Sequence, residues 1–196
     1  MSSSHYGIPY ILEDTTGNLN ESDFVDINGR MHLRVQCTAK DTQHTFYMIY
    51  NTHHSSTPGS AAIPLPVAGL EFGPQHALGT INFASRGMPM RKYLVRPETK
   101  AASLGISSGG HRVRQFRASD GQVYQWARRI KMNQEWTCTN LNGYIIASYS
   151  LKPPGEPTYP NSSGCILDIA EQFGGLAVEI LASLLIMRHI VAYDLS

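Results

Sequence analysis

Charge is the first thing in short supply. Charged residues make up 16% of the 196-residue chain, against roughly 25% in an ordinary soluble domain. Sixteen Lys and Arg are balanced by fifteen Asp and Glu, leaving a formal +1. With no excess of cations to neutralise a run of phosphates, nucleic-acid binding by bulk electrostatics is excluded, so no nucleic-acid partner is expected. Cysteine is scarce too. Cys37, Cys138 and Cys165 are odd in number, far apart and without a C-x-x-C pair, which excludes a disulfide framework and a zinc-finger spacing and points to reduced thiols. No H-E-x-x-H or glycine-rich cofactor fingerprint occurs, so neither metal nor cofactor is expected. The opening residues, Met1 to Gly7, lack a basic stretch and an apolar stretch, and Ser rather than Gly follows Met1. This is neither a secretory signal nor a myristoylation site, and a cytoplasmic protein is expected. The Asn20 and Asn161 glycosylation triplets are therefore read as chance matches.

Apolar residues are not lacking. They form 42% of the chain, besides 17 glycines, enough for a real core in one domain of ordinary size. The first 28 residues are polar and turn-rich, with at most one weak strand near 23–27, although the segment could still join the fold. Residues 29–196 read as a single domain. Runs rich in β-branched and aromatic residues predict strands over 31–38 and 44–50, joined by a loop. In the second run His44, Phe46, Met48 and Tyr50 alternate with Thr45, Tyr47 and Ile49, so a strand covered on both faces is expected. Residues 51–66 read as a long loop, and shorter strands are expected at 69–72, 78–83 and 90–95. A small-residue stretch follows over 101–110. The clearest signal is a hairpin, 112–118 and 122–129, around Ser119-Asp120-Gly121, since Asp-Gly readily takes the positive φ of tight turns. Further strands are predicted at 135–139, 144–150 and 165–170, with prolines crowding the crossing between the last two.

The end of the chain differs in kind. Residues 176–187 are apolar nearly all round, interrupted by Glu179 and Ser183 four apart, which predicts a helix over about 175–190 that must be enclosed on every side. An apolar core of about a dozen residues falls short of the roughly 20 that a membrane span needs. A sheet beside the helix would bury one side only. The fold class expected is therefore mainly β: a closed antiparallel β-barrel wrapped around a buried C-terminal helix.

Several segments carry a family likeness in order: Arg114-x-Phe116-x-Ala118-x-Asp120-Gly121-x-x-Tyr124-x-Trp126, then Ile146-Ala147-Ser148-Tyr149, Cys165-Ile166-Leu167-Asp168-Ile169 and the closing helix from Glu179 to Met187. The series resembles the tubby C-terminal fold shared by tubby proteins, plant LURP-one-related proteins and phospholipid scramblases. Within that fold it is most similar to an uncharacterised tubby-like family of mushroom-forming fungi. The likeness spans about 31–189 and is strongest from Arg112 onward. It implies phosphoinositide or other anionic-lipid binding, as in tubby proteins, or membrane association, as in scramblases.

The residues themselves offer four candidate sites. Arg112, Arg114, Arg117, Arg128, Arg129 and Lys131 lie along the predicted hairpin, where guanidinium forks suit phosphate oxygens; the alternative is a solvated strand end with locally paired charges. His53, His54, His44 and His76 could supply imidazole, but His53 and His54 point opposite ways on extended chain. Gly105-x-Ser107-x-Gly109 followed by His111 matches the hydrolase elbow, which needs a helix after the serine; a flexible loop is expected instead. Glu179 and Asp168 sit in apolar surroundings that would raise a carboxyl pKa; the alternative for Glu179 is a structural role, stabilised by the helix dipole or by backbone donors. The function expected is a non-catalytic binding or adaptor module for a phosphorylated lipid headgroup at a membrane surface. One alternative is an enzyme acting on a small hydrophobic ligand in a barrel pocket, with His111, Glu179 and Ser107 as its candidate groups. The other is a homo-oligomeric structural protein.

Overall fold

Extended backbone turns successive side chains to opposite faces, and alternating burial runs through most strands of this chain. The computed structural model describes residues 7–19, 21–52, 65–84, 86–97, 113–157 and 159–195. In chain order the elements are β1 (Tyr10–Asp14), β2 (Glu21–Asp26), β3 (His32–Lys40), β4 (Thr45–Asn51), β5 (Pro66–Phe72), β6 (Leu78–Phe83) and β7 (Arg86–Pro89). A single-turn α1 (Met90–Tyr93) leads towards β8 (Val113–Arg117), β9 (Val123–Arg128), β10 (Trp136–Asn140), β11 (Ile145–Ser150) and β12 (Cys165–Ile169). A 3-10 segment, Glu171–Leu176, then enters α2 (Ala177–Ala192). The twelve strands form one antiparallel sheet ordered β7-β6-β5-β4-β3-β2-β1-β12-β11-β10-β9-β8.

The β1–β12 pairing, Tyr10 opposite Ile169 through Asp14 opposite Cys165, joins the two ends of the chain in the middle of the sheet. The expectation of one weak strand in a polar N-terminal segment is thus corrected. β1 and β2 are both regular, and Leu12 and Phe24 are fully buried. Two apolar side chains on the inner face are enough, because the neighbouring ladders supply the rest.

Three smaller corrections have local causes. The strand predicted at 90–95 is the turn of α1, because Met90 and Tyr93 are both buried and their spacing of three puts them on one face of a helix. β5 begins earlier than predicted, at Pro66, since proline is tolerated as the first residue of a strand. In β4 only Tyr47 and Ile49 are buried while Phe46, Met48 and Tyr50 are half-buried, so one face meets the core. Residues 53–64 and 101–110, including His53, His54 and Ser107, lie outside the described residues, as do His111 and Arg112.

α2 is buried on every side: Ala177, Ile180 to Met187, His189 and Ile190 all lie in the interior. Strands from around the sheet reach it. Trp126 of β9 donates its indole N–H to the Ser183 hydroxyl at 2.8 Å, and Ser183 donates in turn to the Ile180 carbonyl at 3.0 Å. Phe72 of β5 stacks on His189 with ring centroids 3.7 Å apart. Arg188 lies over the Tyr149 ring of β11. Taken with the 3-10 segment, Glu171–Ala192 is 22 residues of hydropathy 1.8, long enough by composition to cross a membrane. The argument from a short apolar core is therefore corrected: length does not exclude a span, but 67% of the most apolar window is buried within the protein.

Ser183→Ala would leave a fully buried indole N–H without an acceptor, a loss of about 1–3 kcal/mol. Urea unfolding of that variant checks the figure; a loss below about 0.5 kcal/mol would show the bond to be dispensable.

Among the described residues no ladder joins β7 to β8. These are the sheet's two edges, and they lie next to each other in sequence. The isolated bridge Val95–Gln115 approaches across the gap, with Val95 N–H to Gln115 O at 2.9 Å and Gln115 N–H to Val95 O at 2.8 Å.

Candidate anion-binding site

In the β8–β9 hairpin Val113 pairs with Ala127 and Arg117 with Val123, while Gly121, at φ +80°, makes the turn. Alternation then separates the arginines. Arg117 is on the outer face near the turn, where its guanidinium donates to the Gly121 carbonyl at 2.6 Å. Arg114 is on the inner face with Phe116, and both are buried. At the far end Arg128 and Arg129 share one carboxylate: Glu135 Oε1 accepts from Arg128 Nε at 2.7 Å and Oε2 from Arg129 Nε at 2.6 Å. Lys131 is exposed in the loop that follows. The predicted cluster is therefore divided among a turn, an ion-paired corner, a loop tip and the interior.

Arg114 is the unusual member. It is only 6% exposed, and its Nε has no hydrogen-bond partner. Burial, followed by repulsion from Arg96 and Arg91, pushes its pKa below the ordinary guanidinium value. Even so it remains a cation at neutral pH. The Val95–Gln115 bridge carries Arg96 alongside Arg114, and α1 brings Arg91 from β7. Sequence reasoning missed Arg91 and Arg96, although a signal was there. Between Arg86 and Arg117 the chain has eight Lys or Arg and one carboxylate, Glu98. The near-neutral total hides this segregation of charge.

The same end of the sheet carries exposed apolar side chains. β9–β10 and β11–β12 turn round at that end, since Trp136 lies opposite both Arg128 and Tyr149. The 129–135 loop holds Met132 89% exposed and Ile130 57% exposed, flanked by Arg129 and Lys131. Arg129 at φ +52° and Asn133 at φ +62° occupy the left-handed region, and the Glu135 ion pairs brace the loop's base. In the adjacent loop Leu151 is exposed, and Lys152 lies over the Tyr159 ring at 5.5 Å. Leu141 and Tyr144 are also exposed, at the opposite end of the sheet, but their neighbours Asn140, Asn142 and Gly143 are uncharged.

A family model described as a family of unknown function, DUF6593, matches residues 29–191. The chain belongs to that family. No curated protein and no solved structure matches it. The DUF6593 assignment brings no activity with it, so function rests on the geometry of this member.

Among the described residues the other candidates of this DUF6593 chain are occupied or closed. Glu179 accepts the Ser119 backbone N–H, at 3.0 Å to Oε2, together with its hydroxyl, so it ties the hairpin turn to the start of α2. Asp168 is on the outer face of β12, half-buried, and burial raises its carboxyl pKa. His44 lies 3.1 Å from Glu71, and His76 stacks on Tyr193. Among the described residues no three His, Cys, Asp or Glu gather as metal ligands. The apolar cavity between Tyr47, Phe72, Leu185 and His189 is about 10 Å³, room for one water. An open groove of about 400 Å³ passes Thr15, Thr16, Glu21, Ser22, Asp23 and Arg34. Asp23 is paired there, with Arg34 Nε 2.8 Å and His32 3.0 Å from its Oδ1. Burial works to raise the Asp23 pKa, but the hydrogen bonds from Arg34 and His32 outweigh it and hold the carboxyl below its usual range.

Proposed function

We propose that this chain is a non-catalytic binding module that docks on an anionic membrane surface, with the end of the sheet bearing the 129–135 loop facing the lipid. The observation that carries the proposal is the tip of that loop: Ile130 and Met132 are held out in water beside Lys131. Exposed apolar side chains on a braced loop mark a contact surface. Interspersed cations contribute roughly 1 kcal/mol each near an anionic leaflet. A phosphorylated headgroup is the ligand class that suits the arginines behind the tip, and the cytoplasmic leaflet is the surface with the required charge. We also propose that the sheet closes around α2 as a tubby-like barrel, with β7 and β8 as the edges that meet. The Val95–Gln115 bridge and the burial of α2 on all sides support that closure.

The test is co-sedimentation with phosphatidylcholine vesicles containing phosphatidylserine. The wild-type chain should bind at low salt and release as salt is raised. Replacing Ile130 and Met132 together by Ser should weaken partitioning between about tenfold and a hundredfold. Absence of binding at low salt, or equal binding by the double variant with its unfolding unchanged, would overturn the proposal.

A further inference from the structure

We infer that the open groove on β2 and β3 is a binding site for a neutral polyhydroxylated ligand, a saccharide, separate from the lipid-facing loop tip. The groove has a volume of about 400 Å³, within the roughly 300–1,000 Å³ of small-molecule sites. Its floor is set by strand register. Glu21 lies opposite Gln36 and Asp23 opposite Arg34, and alternation puts all four on the outer face, while Ser22 and Val35 between them turn inward. Two carboxylates thus stand beside a carboxamide and a guanidinium, so that acceptors on one strand adjoin donors on the next. Thr15 and Thr16 form one wall, and their hydroxyls hold it in shape. Thr15 Oγ1 accepts the Asp23 N–H at 3.1 Å, and Thr16 Oγ1 donates to the Glu21 carbonyl at 2.5 Å. Arg34 Nε at 2.8 Å and His32 Nε2 at 3.0 Å from Asp23 Oδ1 fix the middle of the floor. The groove is therefore formed before a ligand arrives, which lowers the ordering cost of binding.

The mixture of groups selects the ligand. Glu21 and Asp23 are acidic and Arg34 is basic, so a charged ligand loses at one contact what it gains at the next. A neutral ligand avoids that conflict, but it must offer donors and acceptors on neighbouring atoms. A carboxylate only accepts and a guanidinium only donates, whereas a hydroxyl does both. Adjacent hydroxyls of a sugar ring can therefore be engaged together, by the two oxygens of a carboxylate or by the oxygen and nitrogen of the Gln36 carboxamide. An apolar ligand would instead strip these groups of water without replacing its hydrogen bonds. The next strand supplies a surface for the C–H groups of a sugar. Tyr50 of β4 is paired opposite Arg34 and Met48 opposite Gln36, both half-buried on the same outer face.

The isotopically labelled full-length chain would be titrated with glucose, mannose, galactose and N-acetylglucosamine while its amide resonances are followed. Each sugar is taken to about 100 mM, above the millimolar Kd expected of a shallow, open site. At least one of the four should shift the amides of residues 15–16, 21–23 and 34–36 saturably, and leave those of the 129–135 loop unchanged. Gln36→Ala should weaken that binding about threefold to tenfold. Glu21→Ala should do the same by removing the other end of the array. Both positions are exposed, so each variant should keep the wild-type Tm. Glucose 6-phosphate should bind no more tightly than glucose; tighter binding would make this an anion site and overturn the assignment. So would the absence of saturable shifts in the groove with all four sugars, or an equal sugar response in wild type and both variants. The groove variants leave Ile130, Lys131 and Met132 in place, so they should sediment with phosphatidylserine vesicles as wild type does. Sugar binding without vesicle binding would keep this site and overturn membrane docking alone.

Discussion

Asp14→Asn is expected to lower the unfolding free energy by about 3–5 kcal/mol. Asp14 closes β1 at zero exposure, and both carboxylate oxygens are in use. Oδ1 accepts the Gly17 N–H at 2.8 Å and the Ser22 hydroxyl. Oδ2 accepts the Tyr149 hydroxyl at 2.7 Å and lies 3.4 Å from Arg188 Nη1. Arg188 also donates to the Gly17 carbonyl at 2.5 Å, so one carboxylate ties β1, its following turn, β11 and the helix together. An amide cannot replace it. Whichever way Asn is turned, its NH2 faces donors on one side, and the charge that balanced Arg188 is lost. Arg188 is mostly enclosed, with 13% of its side chain exposed, so its charge is not rescued by solvent. Urea unfolding followed by circular dichroism measures the loss. Adding Arg188→Met to Asp14→Asn should recover part of it, and the double-mutant cycle gives the coupling between the two groups. A loss below about 1 kcal/mol for Asp14→Asn, or strict additivity in the cycle, would show that the hub is not the tie described.

Acid should destabilise the protein well above the range in which its carboxylates titrate. His189 is 4% exposed, and burial depresses its pKa to about 4, although its contact with the His76 carbonyl works the other way. Its ring meets Phe72 at 3.7 Å, Tyr193 at 4.6 Å and His76 at 6.0 Å. None of these offers a carboxylate to a proton on His189. In the unfolded chain the imidazole protonates near 6.5. Above that pH neither state binds the proton and stability is at its full value. Between about 6.5 and 4 only the unfolded state binds it, so stability falls with pH by up to about 3 kcal/mol. Below about 4 both states are protonated and this slope ends. Asp23 and Asp26 act in a lower window. Burial works to raise both, but hydrogen bonds from Arg34 and His32 to Asp23, and from Arg30 and the Ile11 and Arg30 backbone to Asp26, win and depress them. Their contribution is therefore present above the unfolded carboxylate value and is lost as pH falls below about 4. Denaturant unfolding at several pH values from 7.5 to 4 should show the early slope, and His189→Gln, which keeps an N–H for the His76 carbonyl, should flatten it. A parent protein equally stable at pH 7 and pH 5 would refute the assignment.

Much of the framework was legible in local patterns. The hairpin around Asp120 and Gly121 follows from alternation on either side of a turn that needs a positive φ, and β8 and β9 fall within the predicted runs. The all-round apolarity of α2 required enclosure, and the strands supply it. The site was legible only in outline. Arginines concentrated near the hairpin are visible in the sequence, but which of them is ion-paired at the surface and which is buried is not. Arg128 and Arg129 are matched by Glu135 across a loop, and Arg114 differs from Arg117 only by the side of the strand it faces.

By itself, then, the sequence determined the β-rich class, the principal hairpin, the enclosed terminal helix and a basic stretch, because these depend on periodicity, turn chemistry and hydrophobicity within a few residues. Only the tertiary structure decided that β1 lies between β2 and β12, that Asp14 meets Tyr149 and Arg188, and that the Val95–Gln115 bridge brings Arg96 alongside Arg114. Those contacts join residues far apart in the chain. Their energies come from which side chains are removed from water together, a property of packing that local sequence does not encode.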